Sequence, residues 1–266
     1  MERITSLNNP KIKNIVKLQK ASERRKQNLF LIEGYKEISF ALENKYELHS
    51  LFYCPELSIK TISDPLFKYD ELQNIIFEIT PEIYAKIAYR DSSDGLLGVA
   101  WQKKLSLDEI KLGKNPLIII LEGVEKPGNL GAILRTADAI HADAVIITDL
   151  QTDIFNPNVI RSSVGCFFTT HLVSCSNNEA HKWLNKNKII SYAAVIHPKS
   201  QQYHLLDYTG ATAFIMGTEA NGLTEFWIKN SNKMIAIPML GQNDSLNVST
   251  ATAVLVYEAK RQRKFK

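Results

Sequence analysis

Six short, mostly apolar runs between residues 117 and 237 restrict the fold more than any other feature of the sequence. They are Leu117–Leu121, Ala144–Thr148, Phe167–Thr170, Ile189–Val195, Ala213–Met216 and Met234–Ile237. The runs are not alternately apolar and polar, and stretches with helical periodicity separate them. Strands of this kind are typical of parallel sheets with helices on both faces. The sequence therefore predicts a doubly wound α/β domain.

Composition and cysteine usage exclude several classes of protein. The chain is 45% hydrophobic and 23% charged, which is ordinary for a globular protein. No apolar run approaches the roughly 20 residues that span a bilayer. Cys54, Cys166 and Cys175 lack the spacing of a metal site and suit a reducing compartment. We expect a cytoplasmic protein that binds neither membrane nor metal.

Positive charge is concentrated at the two ends of the chain. Residues 1–26 carry eight Lys and Arg against two Glu, and residues 260–266 carry five more, although the net charge of the whole chain is only +4. Such a distribution indicates a polyanionic partner such as RNA. A solvated helix face remains the alternative for either end. The predicted RNA contacts at the N-terminal end are Lys13, Lys17, Arg24 and Arg25.

The composition changes at residues 102–115, where a charged stretch with Gly113 ends at Pro116. Before this stretch, short strands and helices alternate. We therefore predict a first domain at residues 1–101, a linker at 102–115 and the doubly wound domain at 116–266.

Three stretches of the second domain join a strand to a polar or glycine-rich turn. They are Pro127-Gly128-Asn129-Leu130-Gly131-Ala132-Ile133-Leu134-Arg135, Gly217-Thr218-Glu219-Ala220-Asn221-Gly222 and Ser245-Leu246-Asn247-Val248-Ser249-Thr250. A strand, a tight turn and a helix commonly build a ligand site in an open α/β sheet. One such stretch alone is weak evidence, because many helix starts bind nothing.

Together and in this order, the three stretches resemble the motifs of the SpoU/TrmH family of RNA 2'-O-ribose methyltransferases. The resemblance extends from Leu117 to Arg263. It implies a trefoil-knotted parallel-sheet domain, S-adenosylmethionine as methyl donor, and a homodimer. Topology rules alone would have excluded the knot. A second resemblance, carried by Leu7 to Lys13 and Phe30 to Gly34, is to the small ribosomal-protein-like α/β RNA-binding domain that precedes the methyltransferase domain in many members.

The resemblance also implies roles for individual residues. Gly217, Ile237 and Leu246 match the positions that bind the cofactor through backbone groups. The catalytic set comprises Arg135, Asn129, Glu219, Asn247 and Ser245, and Arg161 lies in a segment that faces the RNA. A purely structural role as a helix cap is the alternative interpretation for Glu219, Ser245, Asn247 and the segment around Arg161. Because a guanidinium stays protonated under physiological conditions, Arg135 is expected to bind phosphate and stabilise charge, and its part in proton transfer remains open.

Several functions fit these residues. The first is 2'-O-methylation of RNA, with large-subunit ribosomal RNA favoured by the N-terminal domain. The alternatives are a tRNA 2'-O-methyltransferase, an antibiotic-resistance methyltransferase, and a non-catalytic RNA-binding or ribosome-assembly protein of the same fold. The complete catalytic set argues against the last of these.

Overall fold

The structure is a computed structural model that describes residues 1–58, 63–69, 72–89, 94–150, 152–218 and 220–266. It divides into two compact units, each described separately below. The first contains residues 1–103 and 153–169, and the second contains residues 104–152 and 170–266.

The first unit is a five-stranded mixed sheet with helices. Its strands are β1 (Glu2–Ile4), β2 (Leu29–Glu33), β3 (Leu48–Tyr53), β4 (Ile76–Ile79) and β5 (Leu96–Trp101), in the order β1-β4-β3-β5-β2. Its helices are α1 (Pro10–Leu18), α2 (Ala21–Gln27), α3 (Tyr35–Glu43) and α4 (Pro81–Ile87), with a short 3₁₀ turn at Pro65–Lys68. The apolar sides of α1 and α4 join one face of the sheet in a buried core. This agrees with the expected small α/β fold.

Two helices from the middle of the chain complete this unit. They are α6 (Pro157–Ser163) and α7 (Cys166–Thr169). Phe155, Phe167 and Phe168 surround the ring of Phe30 in β2, with centroids 5.0 to 6.4 Å away. Residues 153–169 thus belong to the first compact unit, whereas the sequence assigned them to the second domain. The predicted domain boundaries at residues 101 and 116 stay a prediction.

The second unit is a parallel sheet of seven strands. They are β6 (Leu117–Glu122), β7 (Ala144–Thr148), β8 (Leu172–Cys175), β9 (Ile190–Ala194), β10 (Gln201–Gln202), β11 (Thr212–Met216) and β12 (Lys233–Ala236). Its helices are α5 (Pro127–Ala139), α8 (Asn177–Lys186), α9 (Glu225–Asn230) and α10 (Val248–Gln262). The strand order is β10-β12-β9-β11-β6-β7-β8, and every pair is parallel. The predicted α/β class is confirmed.

The central strands explain why the apolar runs lacked alternation. Side chains 117–121 of β6 are at most 1% exposed, because the sheet is covered on both faces. One predicted strand is wrong: Cys166–Thr169 is the helix α7, and the strand begins at Leu172. Phe167 and Phe168 are buried in the first unit instead of entering the parallel sheet. A short apolar run does not by itself distinguish a helix from a buried strand.

Among the described residues, no helix combines the length and the apolar character needed to cross a bilayer. The same part of the chain has no cluster of three or more His, Cys, Asp or Glu side chains arranged for a metal ion.

Candidate active site

An open cleft of about 670 Å³ lies in the second unit, at the carboxyl ends of β9, β11 and β12. The loop between β12 and α10 and the first turn of α10 form its other wall. Small-molecule sites of α/β proteins lie at this edge of the sheet, and their volumes fall in this range. The cleft is therefore the candidate site for the cofactor.

All three residues predicted to bind the cofactor line this cleft. Gly217 directly follows β11, Ile237 directly follows β12, and Leu246 precedes α10. The side chain of Leu246 is 38% exposed, so it covers the cleft without belonging to the core. Polar backbone groups at these strand ends and apolar side chains beside them suit a nucleoside.

Gly217 has a structural role that the sequence did not reveal. The backbones of Thr218 and Gly222 exchange two hydrogen bonds of 3.0 Å, which close a tight loop beside the cleft. A Cβ at position 217 would overlap the backbone of Gly222 and Leu223. Glycine is required here by the loop itself, so a larger residue would distort the cleft before any ligand arrives.

The first and third motif stretches meet at a pair of asparagines. Nδ2 of Asn247 donates to Oδ1 of Asn129 over 3.2 Å. Oδ1 of Asn247 accepts from the backbone N–H of Ser249 at 2.9 Å, which makes Asn247 the N-cap of α10. Asn247 thus caps α10 and also lines the cleft, so the cap does not exclude the predicted catalytic role, which stays a prediction.

The other predicted catalytic residues differ in position. Ser245 lines the cleft and donates to Asp244 over 3.0 Å, so it does not cap α10. Glu219 lies outside the described residues. Arg135 is exposed in the third turn of α5, forms no hydrogen bond or ion pair with the described part of the chain, and is absent from the lining of the cleft. Its guanidinium is available to an external anion.

A buried polar network supports the cleft and was missed in the sequence. The Glu122 carboxylate, 3% exposed at the end of β6, accepts from the backbone and hydroxyl of Thr224 and from Nδ2 of Asn177. Asn177 accepts in turn from the indole of Trp227. These bonds fix the start of α9, directly after the loop at residues 217–222. A buried acid ending an apolar strand was the one available signal, because such a group needs partners.

The predicted RNA contacts belong to the first unit. Lys13, Lys17 and Arg25 are exposed, and none forms an ion pair with a described residue. Arg161 is exposed and donates twice to Oδ1 of Asn158 within α6.

Arg24 is the exception among these predicted contacts. Its side chain is 2% exposed, forms an ion pair of 2.6 Å with Asp153, and donates to the carbonyls of Leu18 and Gln19. The structure removes Arg24 from the predicted RNA-binding set, since its guanidinium is buried and occupied.

Fold and cleft together define an α/β protein with a small-molecule site at the carboxyl edge of a parallel sheet. The sequence profile of the SpoU rRNA Methylase family matches residues 116–257, and that of the MRM3-like substrate binding domain matches residues 9–98. The chain belongs to the SpoU rRNA Methylase family, as its three motif stretches predicted. Membership implies the knotted form of the sheet domain.

Relatives of known name align along most of the chain. The 23S rRNA (guanosine(2553)-2'-O)-methyltransferase RlmP of Bacillus subtilis is 27% identical, over 98% of this chain and 100% of the relative. The 23S rRNA (uridine(2479)-2'-O)-methyltransferase of Streptomyces viridochromogenes is 26% identical, over 91% and 86%.

Solved structures give the same result. An AdoMet-bound rRNA methyltransferase from Sinorhizobium meliloti superimposes with a TM-score of 0.89 at 27% identity, covering 98% of this chain and 97% of the other. An RNA 2'-O ribose methyltransferase superimposes with a TM-score of 0.81 at 34% identity, covering 98% and 99%.

Proposed function

We propose that the protein methylates a ribose 2'-hydroxyl of large-subunit ribosomal RNA in the cytoplasm and acts as a homodimer. The observation that carries this proposal is that the second and third motif stretches line the cleft, and that the first meets them beside it through Asn129. Asn129, Gly217 and Val248, one from each stretch, line a common recess beside it. The named relatives act on 23S ribosomal RNA, and the first unit matches a substrate-binding domain.

The cleft fits S-adenosylmethionine. Its volume suits a nucleoside with an amino-acid side arm, and Gly217, Ile237 and Leu246 would hold the adenosine part by backbone groups and apolar cover. When bound, this cofactor supplies an electrophilic methyl group. Asn247, fixed by the helix that it caps and by Asn129, is placed to orient a hydroxyl at the border of the cleft.

Arg135 has the chemistry for the substrate's charge. An exposed guanidinium with no partner in the described part of the chain can bind the phosphate next to the target ribose through two parallel hydrogen bonds and stabilise developing negative charge. Arg135 does not line the cleft of its own chain. In a homodimer, the arginine of one chain would instead serve the cleft of the other.

Substitution of Arg135 tests the proposal. We expect Arg135→Lys and Arg135→Ala to lower methyl transfer to ribosomal RNA by about 10²–10³, the usual effect of removing an oriented donor. The cofactor affinity should stay unchanged, since Arg135 is not part of the cleft wall. Transfer of labelled methyl groups and calorimetric titration with S-adenosylmethionine measure the two effects. Full activity of Arg135→Ala would refute the catalytic assignment.

Mixing two inactive variants tests the exchange between chains. Leu246→Glu introduces a carboxylate that must lose its hydration when the cleft fills, so it should weaken cofactor binding. A mixture of Arg135→Ala and Leu246→Glu should regain part of the activity if the arginine acts across the dimer.

The choice of substrate is tested by offering ribosomal RNA and tRNA to the wild type in separate assays. Methylation of tRNA alone would mean that tRNA, and not ribosomal RNA, is the substrate.

A further inference from the structure

A groove of about 280 Å³ in the first unit is separate from the cofactor cleft. One side is α1, represented by Lys11 and Asn14, and the other is the face of β3, β4 and β5, represented by His49 and Phe77. Helix α1 covers only part of this sheet face. The groove is an open part of that face beside α1, lined by aromatic, polar and apolar side chains.

The aromatic side of the groove is preorganised. Phe77 is half-buried and stacks on the buried Phe52, with centroids 5.5 Å apart and planes inclined by 30°. His49 at the far end meets the half-exposed Trp101 edge to face at 5.6 Å. Fixed rings at a surface are the usual platform for a nucleobase, because every base presents a π-face.

The polar side of the groove is cationic. Nζ of Lys11 lies 4.7 Å from the centroid of the Phe77 ring, and Lys11 is a lining residue of the groove. None of the described residues that line the groove is acidic. Its electrostatics therefore favour a phosphate.

Asn14 adds a hydrogen-bonding group to this side. Its Nδ2 donates to Gln27 over 3.0 Å, which holds the amide, while its Oδ1 has no partner among the described residues. The amide is thus positioned to accept a hydrogen bond from a base.

We propose that this groove binds one unpaired nucleotide of the RNA substrate. The base replaces the Lys11 ammonium on the Phe77 ring, its edge lies at Asn14, and the displaced Lys11 binds its phosphate. The volume suits a single nucleotide and excludes a duplex, whose bases have no free face to offer. The inference rests on the proposed function in one respect, namely that RNA is the substrate. It adds that the first unit selects a site where a base is unstacked.

Binding of two RNA probes to the full-length protein tests the groove. The probes are a labelled, unstructured oligoadenylate and a blunt RNA duplex of the same length, measured by fluorescence anisotropy. Phe77→Leu keeps an apolar side chain but removes the stacking ring, so it should weaken oligoadenylate binding about tenfold and leave duplex binding unchanged. Lys11→Gln should flatten the salt dependence of oligoadenylate binding by about 0.7 in log–log slope.

Two matched variants are the controls. Tyr69→Leu removes an exposed ring and Lys86→Gln removes an exposed charge of the same unit, and neither residue lines the groove. Both should keep the wild-type preference for the single strand. Equal losses for the two probes in Phe77→Leu, or no loss for either, would overturn the proposal. Should thermal unfolding show that Phe77→Leu is not folded, Lys11→Gln and His49→Ala, at exposed positions, decide by the same criteria.

Methyl transfer separates this inference from the proposed function. If the wild type methylates ribosomal RNA, Phe77→Leu should raise KM and leave kcat unchanged, and an unchanged KM would count against the groove. If the wild type methylates no RNA, the proposed function fails, while the two binding probes still decide the groove.

Discussion

At the scale of single residues, Arg24 and Arg25 show how differently two neighbours in a basic run can behave. Both belong to α2 and both were predicted to bind RNA. Arg25 is exposed, whereas the guanidinium of Arg24 is enclosed by Asp153 and by two carbonyls at the end of α1. Burying a guanidinium is tolerated only because each side of it is paired.

Stability measurements should separate these two arginines. We expect Arg24→Ala to lower the free energy of unfolding by about 3–5 kcal/mol, because Asp153 would remain largely buried without its cation. Arg25→Ala should change it by less than about 0.5 kcal/mol, as is usual for an exposed side chain. Urea titrations followed by circular dichroism give both values. Equal midpoints for the two variants would contradict the structural role of Arg24.

No local pattern could have distinguished the two arginines. The partner of Arg24 lies 129 residues away in the sequence, and helical periodicity does not identify it. Asn129 and Asn247 are 118 residues apart in the sequence, yet their proximity was predictable. Each lies in a turn or helix start that follows a parallel strand, and parallel strands end at one edge of the sheet.

At the scale of elements, the start of α10 combines a helix cap and a contact with the first motif stretch in one side chain. Asn247 caps the helix with Oδ1 and reaches Asn129 with Nδ2. The two atoms can be tested separately, because an aspartate keeps the first function and loses the second.

We expect Asn247→Asp to retain the stability of the wild type, since Asp and Asn are equally good N-caps. Its carboxylate cannot donate to Asn129, so methyl transfer should fall at least about tenfold, the size of a lost hydrogen bond to a charged or reacting group. Asn247→Ala should lose the activity and also about 1 kcal/mol of stability. Thermal unfolding measures the stability of both variants, and the methyl-transfer assay measures their activity. An active Asn247→Asp would reduce Asn247 to a helix cap.

Helices and strands were largely predictable from the sequence where both faces of a strand are equally buried. Strands β6, β7 and β11 agree with the sequence to within one residue at either end, because both faces are covered and nearly every side chain is apolar. The error at Phe167–Thr170 arose where tertiary contacts decide. The aromatic run is equally compatible with a strand, and its packing against Phe30 and Tyr46 was not visible in the sequence.

At the scale of the whole molecule, the uneven distribution of charge remains the basis for the predicted RNA binding, although Arg24 no longer belongs to the predicted contacts. Lys13 and Lys17 are exposed on α1, one turn apart and free of ion pairs among the described residues. They belong to the helix that borders the groove but do not line it, so their part in RNA binding can be tested independently of the groove.

The double variant Lys13→Gln/Lys17→Gln should flatten the dependence of RNA binding on salt by about 1.4–1.8 in log–log slope, which corresponds to two lost phosphate contacts. Lys182→Gln/Lys186→Gln removes the same charge from exposed positions of α8 and should leave the slope unchanged. Filter binding over a series of salt concentrations measures both variants. Identical slopes for the two pairs would mean that α1 is only solvated.

The aromatic cluster around Phe30 has a consequence for the order in which the chain matures. Three of its rings, from Phe155, Phe167 and Phe168, are translated only after two strands of the parallel sheet, β6 and β7. The N-terminal part of the first unit therefore leaves the ribosome without these three rings of its aromatic core. The core becomes complete only after residue 168 has emerged. A fragment that stops near residue 103 would lack those three rings. The boundary suggested by the linker is for this reason a poor place to cut the gene.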